Sequence, residues 1–137
     1  MTATIAFTVP GNPVPKGRPR FTRQGRTYTP AKTKTYEEQV AALARAVCPE
    51  PLKTPVAVLV TAVFPVPLTY PKKRREACLN GSERHIKRPD LDNIVKAVTD
   101  GMNGVVYGDD SQIVRLVANK IYGIEAMIQV TVQEVLQ

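Results

Sequence analysis

Residues 4–9, TIAFTV, alternate along the chain, with Ile5, Phe7 and Val9 on one face and Thr4, Ala6 and Thr8 on the other. That period of two predicts a half-buried strand ending at Pro10. From Pro10 to Pro30 the prolines at 10, 13, 15, 19 and 30 and the glycines at 11, 17 and 25 interrupt any regular pattern, so residues 10–32 are expected to form a loop or flap. Thr35 and Glu38 have the spacing of a capping box, and Tyr36, Val40, Leu43 and Val47 then recur at helical spacing as far as Pro49. Residues 56–64, VAVLVTAVF, are apolar at successive positions between Pro55 and Pro65, which predicts a central strand covered on both faces. A second loop is expected over 65–88.

A second helix, capped by Asp92 or Asn93, is predicted to run to about Asn103, with Gly104 ending it. Ile94, Val98 and Met102 share one stripe of that helix, while Asp92, Lys96 and Asp100 share the opposite one. Gly-Asp-Asp-Ser at 108–111 reads as a turn between apolar flanks, followed by two strands hinged near Gly123, the last alternating Ile128, Val130 and Val132. The order β-α-β-α-β-β predicts an α+β fold. Residues 1–137 would form a single domain with one mixed sheet of about four strands and two principal helices packed against it. Neither an internal repeat nor a linker is visible.

Composition narrows the chemistry. A chain of 137 residues suits one domain that buries about two-thirds of its unfolded surface. No apolar run reaches the roughly 18 residues of a membrane span, and the first residues lack the basic start and apolar stretch of a signal peptide. A soluble, cytoplasmic protein with no membrane partner is the expectation. Cys48 and Cys78 with one histidine, His85, provide neither a disulfide framework nor a zinc site, and both cysteines are expected as free or buried thiols. A single imidazole also argues against Ser-His-Asp and Cys-His chemistry.

The net charge of +7 is concentrated. Lys16, Arg18, Arg20, Arg23, Arg26, Lys32 and Lys34 occupy a stretch without an acid; Lys72, Lys73, Arg74, Arg75, Arg84, Lys87 and Arg88 occupy another with only Glu76 and Glu83. Such clustering is the footprint of a polyanion binder. Phe21 and Tyr28, set among the arginines, add stacking surfaces suited to nucleic acid.

All five aspartates, Asp90, Asp92, Asp100, Asp109 and Asp110, fall within RPDLDNIVKAVTDGMNGVVYGDDSQ at 88–112. Aspartates favour helix caps and turns, so each has a structural explanation taken singly. Together they suggest a site, because the helix and the following hairpin can return Asp109 and Asp110 to the side of Asp90 and Asp92. Hard divalent cations such as Mg²⁺ use a few carboxylates, water and substrate phosphate to complete their octahedra. There a metal would polarise a phosphodiester oxygen and activate water for in-line attack, with no histidine needed. Lys96, one turn beyond Asp92, could stabilise the added charge of the transition state or form a local ion pair with Asp92 or Asp100. A calcium loop is excluded, since Val95 stands where its glycine belongs and Gly101 where its glutamate belongs. No phosphate-cradling Gly-Lys-Ser/Thr loop is present either.

The stretch RPDLDNIVKAVTDGMNGVVYGDDSQIV resembles the signature of the RusA family of Holliday junction resolvases, and KGRPRFTRQGRTYTPAKTKTYEEQV upstream is similar to the N-terminal part of phage-type members. The likeness spans residues 10–120 or so. It implies a homodimeric, Mg²⁺-dependent endodeoxyribonuclease of recombination and repair, with Mn²⁺ as a substitute, in a bacterial or phage-infected cell. Such an enzyme binds four-way junctions and nicks two strands symmetrically. By the same resemblance Asp90, Asp92 and Asp110 would hold the metal, with Asp109 the alternative third ligand, Lys96 would be the essential lysine, and Asp100 would stand behind them. DNA contacts would come from Lys16, Arg18, Arg20, Arg23, Arg26, Lys72, Lys73, Arg74, Arg75, Lys87 and Arg88. The rival readings are a non-catalytic DNA-binding protein of phage or prophage origin and a nuclease acting on flaps or forks.

Overall fold

The computed structural model describes residues 2–136. The strand predicted first is β1 (Thr4–Pro10), and the predicted central strand is β4 (Val56–Pro65). Between them the basic flap carries a two-rung hairpin, β2 (Arg20–Phe21) and β3 (Thr27–Tyr28), followed by helix α1 (Ala31–Val47). The helix starts four residues before the Thr35–Glu38 pair: Pro30 occupies the N-cap, and its carbonyl accepts the first helical bond from Lys34 N–H at 3.0 Å. The capping-box expectation therefore fails, and Thr35 is an exposed residue inside the helix.

The expected loop at 65–88 contains a third helix, α2 (Lys72–Asn80), which Gly81 terminates at φ 87° as a left-handed cap. Helix α3 (Leu91–Met102) is capped two or three residues before the predicted caps, with Asp90 at the N-cap and Asn103 at the C-cap. A short 3-10 turn over Asp110–Gln112 leads into β5 (Ile113–Gly123) and β6 (Met127–Glu134).

The four long strands form one mixed sheet ordered β1-β6-β4-β5, in which β4 runs parallel to β5 and antiparallel to β6. This is the α+β arrangement expected. Helices α1 and α3 pack on each other over one face of the sheet, α1 on β1 and α3 on β4 and β5. That face supplies Val58, Val60 and Ala62 from β4 and Ile128, Val130 and Val132 from β6; Tyr36, Val40, Ile94, Val98 and Met102 of the helices close the core above them. Each valine, isoleucine and methionine among them contributes roughly 1.5–3 kcal/mol by leaving water. The opposite face is less covered than expected. Leu59 is 41% exposed, as are Val117 and Ile121 of β5, so the continuous apolar run of β4 is buried fully on one side only.

Gly101 permits the α1–α3 contact. A Cβ there would lie 2.8 Å from Val40 Cβ and 3.0 Å from the Glu37 carbonyl oxygen, so the helices approach more closely than a side chain would allow. The next residue back, Asp100, is thereby set beside Glu37.

Candidate active site

The two faces predicted for α3 are present. Ile94, Val98 and Met102 are fully buried, while Asp92 and Lys96 face solvent and Asp100 is half-buried. The fully buried Tyr107 hydroxyl donates to the Thr99 carbonyl at 2.8 Å and ties the segment after α3 back onto the helix. Burial first, and then the negative field of Asp110, Asp100 and Asp109, push the Tyr107 hydroxyl well above the ordinary tyrosine range. It is therefore a neutral donor.

Beyond Tyr107 the chain turns through Gly108, Asp109 and Asp110, and Gln112 holds that turn. Its Oε1 accepts from Gly108 N–H at 2.8 Å and Asp109 N–H at 3.1 Å; its Nε2 donates to the carbonyls of Leu52 at 2.9 Å and Thr54 at 3.0 Å. Asp109 accepts from Ser111 N–H at 3.3 Å and completes a capping box with Gln112. Those hydrogen bonds lower the Asp109 carboxyl below its usual range, with Ser111 the leading donor. Asp109 is thus used by the turn, while Asp110 projects beside α3.

Asp92, Lys96 and Asp110 line one open cleft of about 570 Å³ between α3 and β5, walled by Leu91, Val95, Ile113, Leu116 and Ala118. Asp90 opens instead on a neighbouring groove with Lys16, Lys32, Arg88 and Asn93. Among the described residues no group of three or more His, Cys, Asp or Glu side chains is arranged to hold a metal ion, so the three-carboxylate convergence is not formed. The two acids that do share the cleft make no ion pair among the described residues. Two exposed carboxylates without a protein counter-ion fit a hard divalent cation, which needs only one or two such ligands beside water and phosphate.

Lys96 makes the local contact that its spacing allows: its Nζ lies 3.0 Å from Asp100 Oδ1, yet the side chain stays 54% exposed at the cleft. The other Asp100 oxygen, Oδ2, lies 3.1 Å from Lys16 Nζ, and Lys16 also pairs with Glu37. Burial works against the Lys16 charge, but hydrogen bonds and attraction from Glu37 and Asp100 outweigh it and raise its pKa. Lys16 is therefore committed inside the fold and is not a free phosphate ligand as its place in the basic flap suggested.

The remaining cations divide the same way. Arg18, Arg20, Arg23 and Arg26 are exposed around the hairpin and unpaired among the described residues, with Phe21 73% exposed among them. Lys72, Lys73 and Arg75 are exposed in the first turn of α2, whereas Arg74 pairs with Glu83 at 3.0 Å and lies 3.7 Å above the Tyr70 ring. Lys87 donates to the Tyr70 hydroxyl, and Arg88 lines the Asp90 groove. Lys120, which sequence reasoning did not single out, donates to the carbonyls of Lys87 at 2.6 Å and Pro89 at 2.9 Å, anchoring the approach to α3 on β5. Only the Asp-x-x-Gln capping spacing could have pointed to Gln112; nothing local pointed to Lys120.

His85 is stacked on Phe64 with ring centroids 4.0 Å apart and meets Tyr122 edge-on at 5.1 Å. Burial, then the charges of Lys120 and Lys87, hold its pKa below the usual value, so the ring is a neutral packing element. Cys48 and Cys78 are buried free thiols, as expected. Among the described residues no helix is long and apolar enough to cross a membrane.

A family model described as "Endodeoxyribonuclease RusA" matches residues 10–133. The chain is also 40% identical to "Uncharacterized protein YqaN" of Bacillus subtilis (strain 168), over 96% of each chain.

Proposed function

The chain belongs to the RusA family of endodeoxyribonucleases, and from that premise we propose that it is a Mg²⁺-dependent Holliday junction resolvase that makes paired, symmetric nicks. The observation that carries the reading is the meeting of Asp92 and Lys96, from α3, with Asp110, from the turn before β5, in one cleft, while the root of the basic flap is bonded to the first turn of α3 through the Lys16 N–H and the Asn93 carbonyl. Caps and turns alone give no reason for the acids to share a cleft with an exposed lysine.

Asp92 and Asp110, which share the cleft, are the residues proposed to hold the metal, with Asp90 in the adjoining groove outside that pair; the metal would supply Lewis acidity and a bound water of lowered pKa. The chain's own groups do the rest. Lys96 offers an ammonium with donors to spare, suited to the extra negative charge that builds on phosphorus in the transition state. Leu91, Val95, Ile113 and Leu116 give the open cleft apolar walls. Arg18, Arg20, Arg23 and Arg26 track the phosphate backbone, while Phe21 and Tyr28 offer rings to unpaired bases at the branch. Lys72, Lys73 and Arg75 sit at the N-terminus of α2, where they oppose the helix dipole; a phosphate there would relieve that repulsion.

Paired nicking of a two-fold substrate is most simply done by a two-fold enzyme, so a homodimer is part of the proposal. The edge strand β5 supports it, with a row of unpaired backbone groups and exposed Val114, Leu116, Val117 and Ile121. The test is incubation of labelled four-way junction, flap and linear duplex with and without Mg²⁺, alongside sedimentation of the same preparation. Symmetric nicks confined to the junction, made by a dimer, are expected. Binding without nicks would leave a DNA-binding protein, and nicks in the flap alone a different branched substrate.

A further inference from the structure

Lys16 begins the basic flap but is held at both of its ends. Its backbone N–H donates to the Asn93 carbonyl in the first turn of α3 at 2.8 Å, and the following Gly17 N–H donates to Thr33 Oγ1 in α1 at 3.0 Å. The hairpin carrying Arg18, Arg20, Arg23 and Arg26 therefore grows out of a root fixed to both helices. At that root the Lys16 ammonium sits between Glu37 of α1 and Asp100 of α3, with side-chain exposures of 21% for Lys16 and 20% for each acid. Asp100 divides its two oxygens between Lys16 and Lys96.

We propose that Lys16 is a positioning residue for Lys96, acting through Asp100. The proposal rests on the nuclease reading above and adds a role for a residue outside the cleft.

With Lys16 in place, Asp100 can give Lys96 only one oxygen and part of its field, which leaves the ammonium tethered but presented to the cleft. Without Lys16 the whole carboxylate acts on Lys96, and Glu37 faces Asp100 with no cation between them. Lys96 is then drawn down onto its own helix, toward Asp100 and away from a bound phosphate.

The test compares Lys16→Met, Lys16→Arg and Arg18→Met in the full chain. Nitrogen-resolved NMR of lysine ammonium groups, with the Lys96 signal assigned through Lys96→Gln, reads its surroundings without metal or DNA. That signal is expected to move in Lys16→Met, to return toward its original position in Lys16→Arg, and to stay in place in Arg18→Met. Single-turnover cutting of saturating four-way junction with Mg²⁺ should slow about ten-fold in Lys16→Met, as a small misplacement does, with junction affinity in EDTA changed less than about two-fold. In the Lys96→Gln background, Lys16→Met should cause no further loss. An unmoved Lys96 signal, a loss confined to affinity, or effects that multiply in the double variant would each overturn the relay. A wild-type chain that cuts no DNA refutes the nuclease reading, whereas one that cuts with an unmoved Lys96 signal refutes only the relay.

Discussion

Replacing Gln112 with alanine should damage stability and cleavage together. Four hydrogen bonds disappear, two accepted from the Gly108 and Asp109 amides and two donated to the Leu52 and Thr54 carbonyls. Each is worth on the order of 1 kcal/mol net. The two amides belong to exposed residues and regain water, but the two carbonyls belong to half-buried ones and regain it poorly. A cost of about 2–3 kcal/mol follows. For a chain of this size that is a drop in Tm on the order of 10 °C. Asp110 leaves its place with the turn, so cleavage should fall by ten-fold or more at temperatures where the variant is still folded. Gln112→Glu is the sharper probe. It keeps both acceptor bonds but aims a carboxylate at two carbonyls, so the folded state prefers the introduced group protonated and its pKa is raised. The penalty is then complete at neutral pH and relieved as pH falls through that raised pKa. Circular-dichroism melts at neutral and mildly acidic pH, with nicking assays on the same samples, measure all of this. A Gln112→Ala melt within about 2 °C of wild type, with cleavage undiminished, would refute the assignment of the turn to Gln112.

Other substitutions separate binding, chemistry and packing. Asp92→Asn should abolish Mg²⁺-dependent nicking while leaving junction affinity in EDTA equal or greater, because it removes both a hard ligand and a like charge facing phosphate; folded protein that cuts normally would place the metal elsewhere. Neutralising Arg18, Arg20 and Arg23 together should flatten the salt dependence of binding by about 0.9 log units per decade for each DNA phosphate left without its cation, and an unchanged slope would make them merely solubilising. Gly101→Ala sets a methyl group 2.8 Å from Val40 Cβ and 3.0 Å from the Glu37 carbonyl. Overpacking of about 1–3 kcal/mol outweighs a gain of at most about 1 kcal/mol in helix propensity, so Tm should fall; a rise would show that α1 yields freely. His85 folds neutral, with its pKa depressed by burial and by Lys120 and Lys87, while the unfolded imidazole titrates near 6.5. Its contribution is complete above that pH and is lost as pH falls toward the folded pKa, so His85→Phe should flatten the acid side of the Tm profile, and identical profiles would contradict this.

β1, β6 and α3 were legible because their periodicity is set by the face they bury. Alternation in β1 and β6, and the opposed stripes of α3, correspond to the observed burial residue by residue. Helix α2 was hidden because KKRREACLN buries only Cys78 and so carries almost no apolar period. Its helicity is supported by Gly81 and by the Arg74–Glu83 and Arg74–Tyr70 contacts, which are polar or cation–π pairings that leave no apolar period in the sequence. The start of α1 was misplaced because Thr35 and Glu38 satisfy the spacing of a cap, while the actual start depends on Pro30 and on Thr33 bonding to the flap. In the site, the approach of Asp110 to Asp92 followed from a turn and a returning strand. The commitment of Lys16 did not, since Glu37 and Asp100 reach it only after α1 and α3 have packed.

The sheet order has a consequence for when the site comes into being. β6 lies between β1 and β4, and among the described residues β1 has no other partner in the sheet, its pairings running from Thr4 with Gln133 to Pro10 with Met127. A chain synthesised from its N-terminus has exposed every residue that lines the cleft by Ala118, yet β1 must wait unpaired and β4 keeps one bare edge until residues 127–134 follow. Contacts of such long sequence separation are slow to close. The acids and the lysine of the cleft thus precede the strand that joins β1 to β4, and the sheet that mounts them is complete only once β6 has paired.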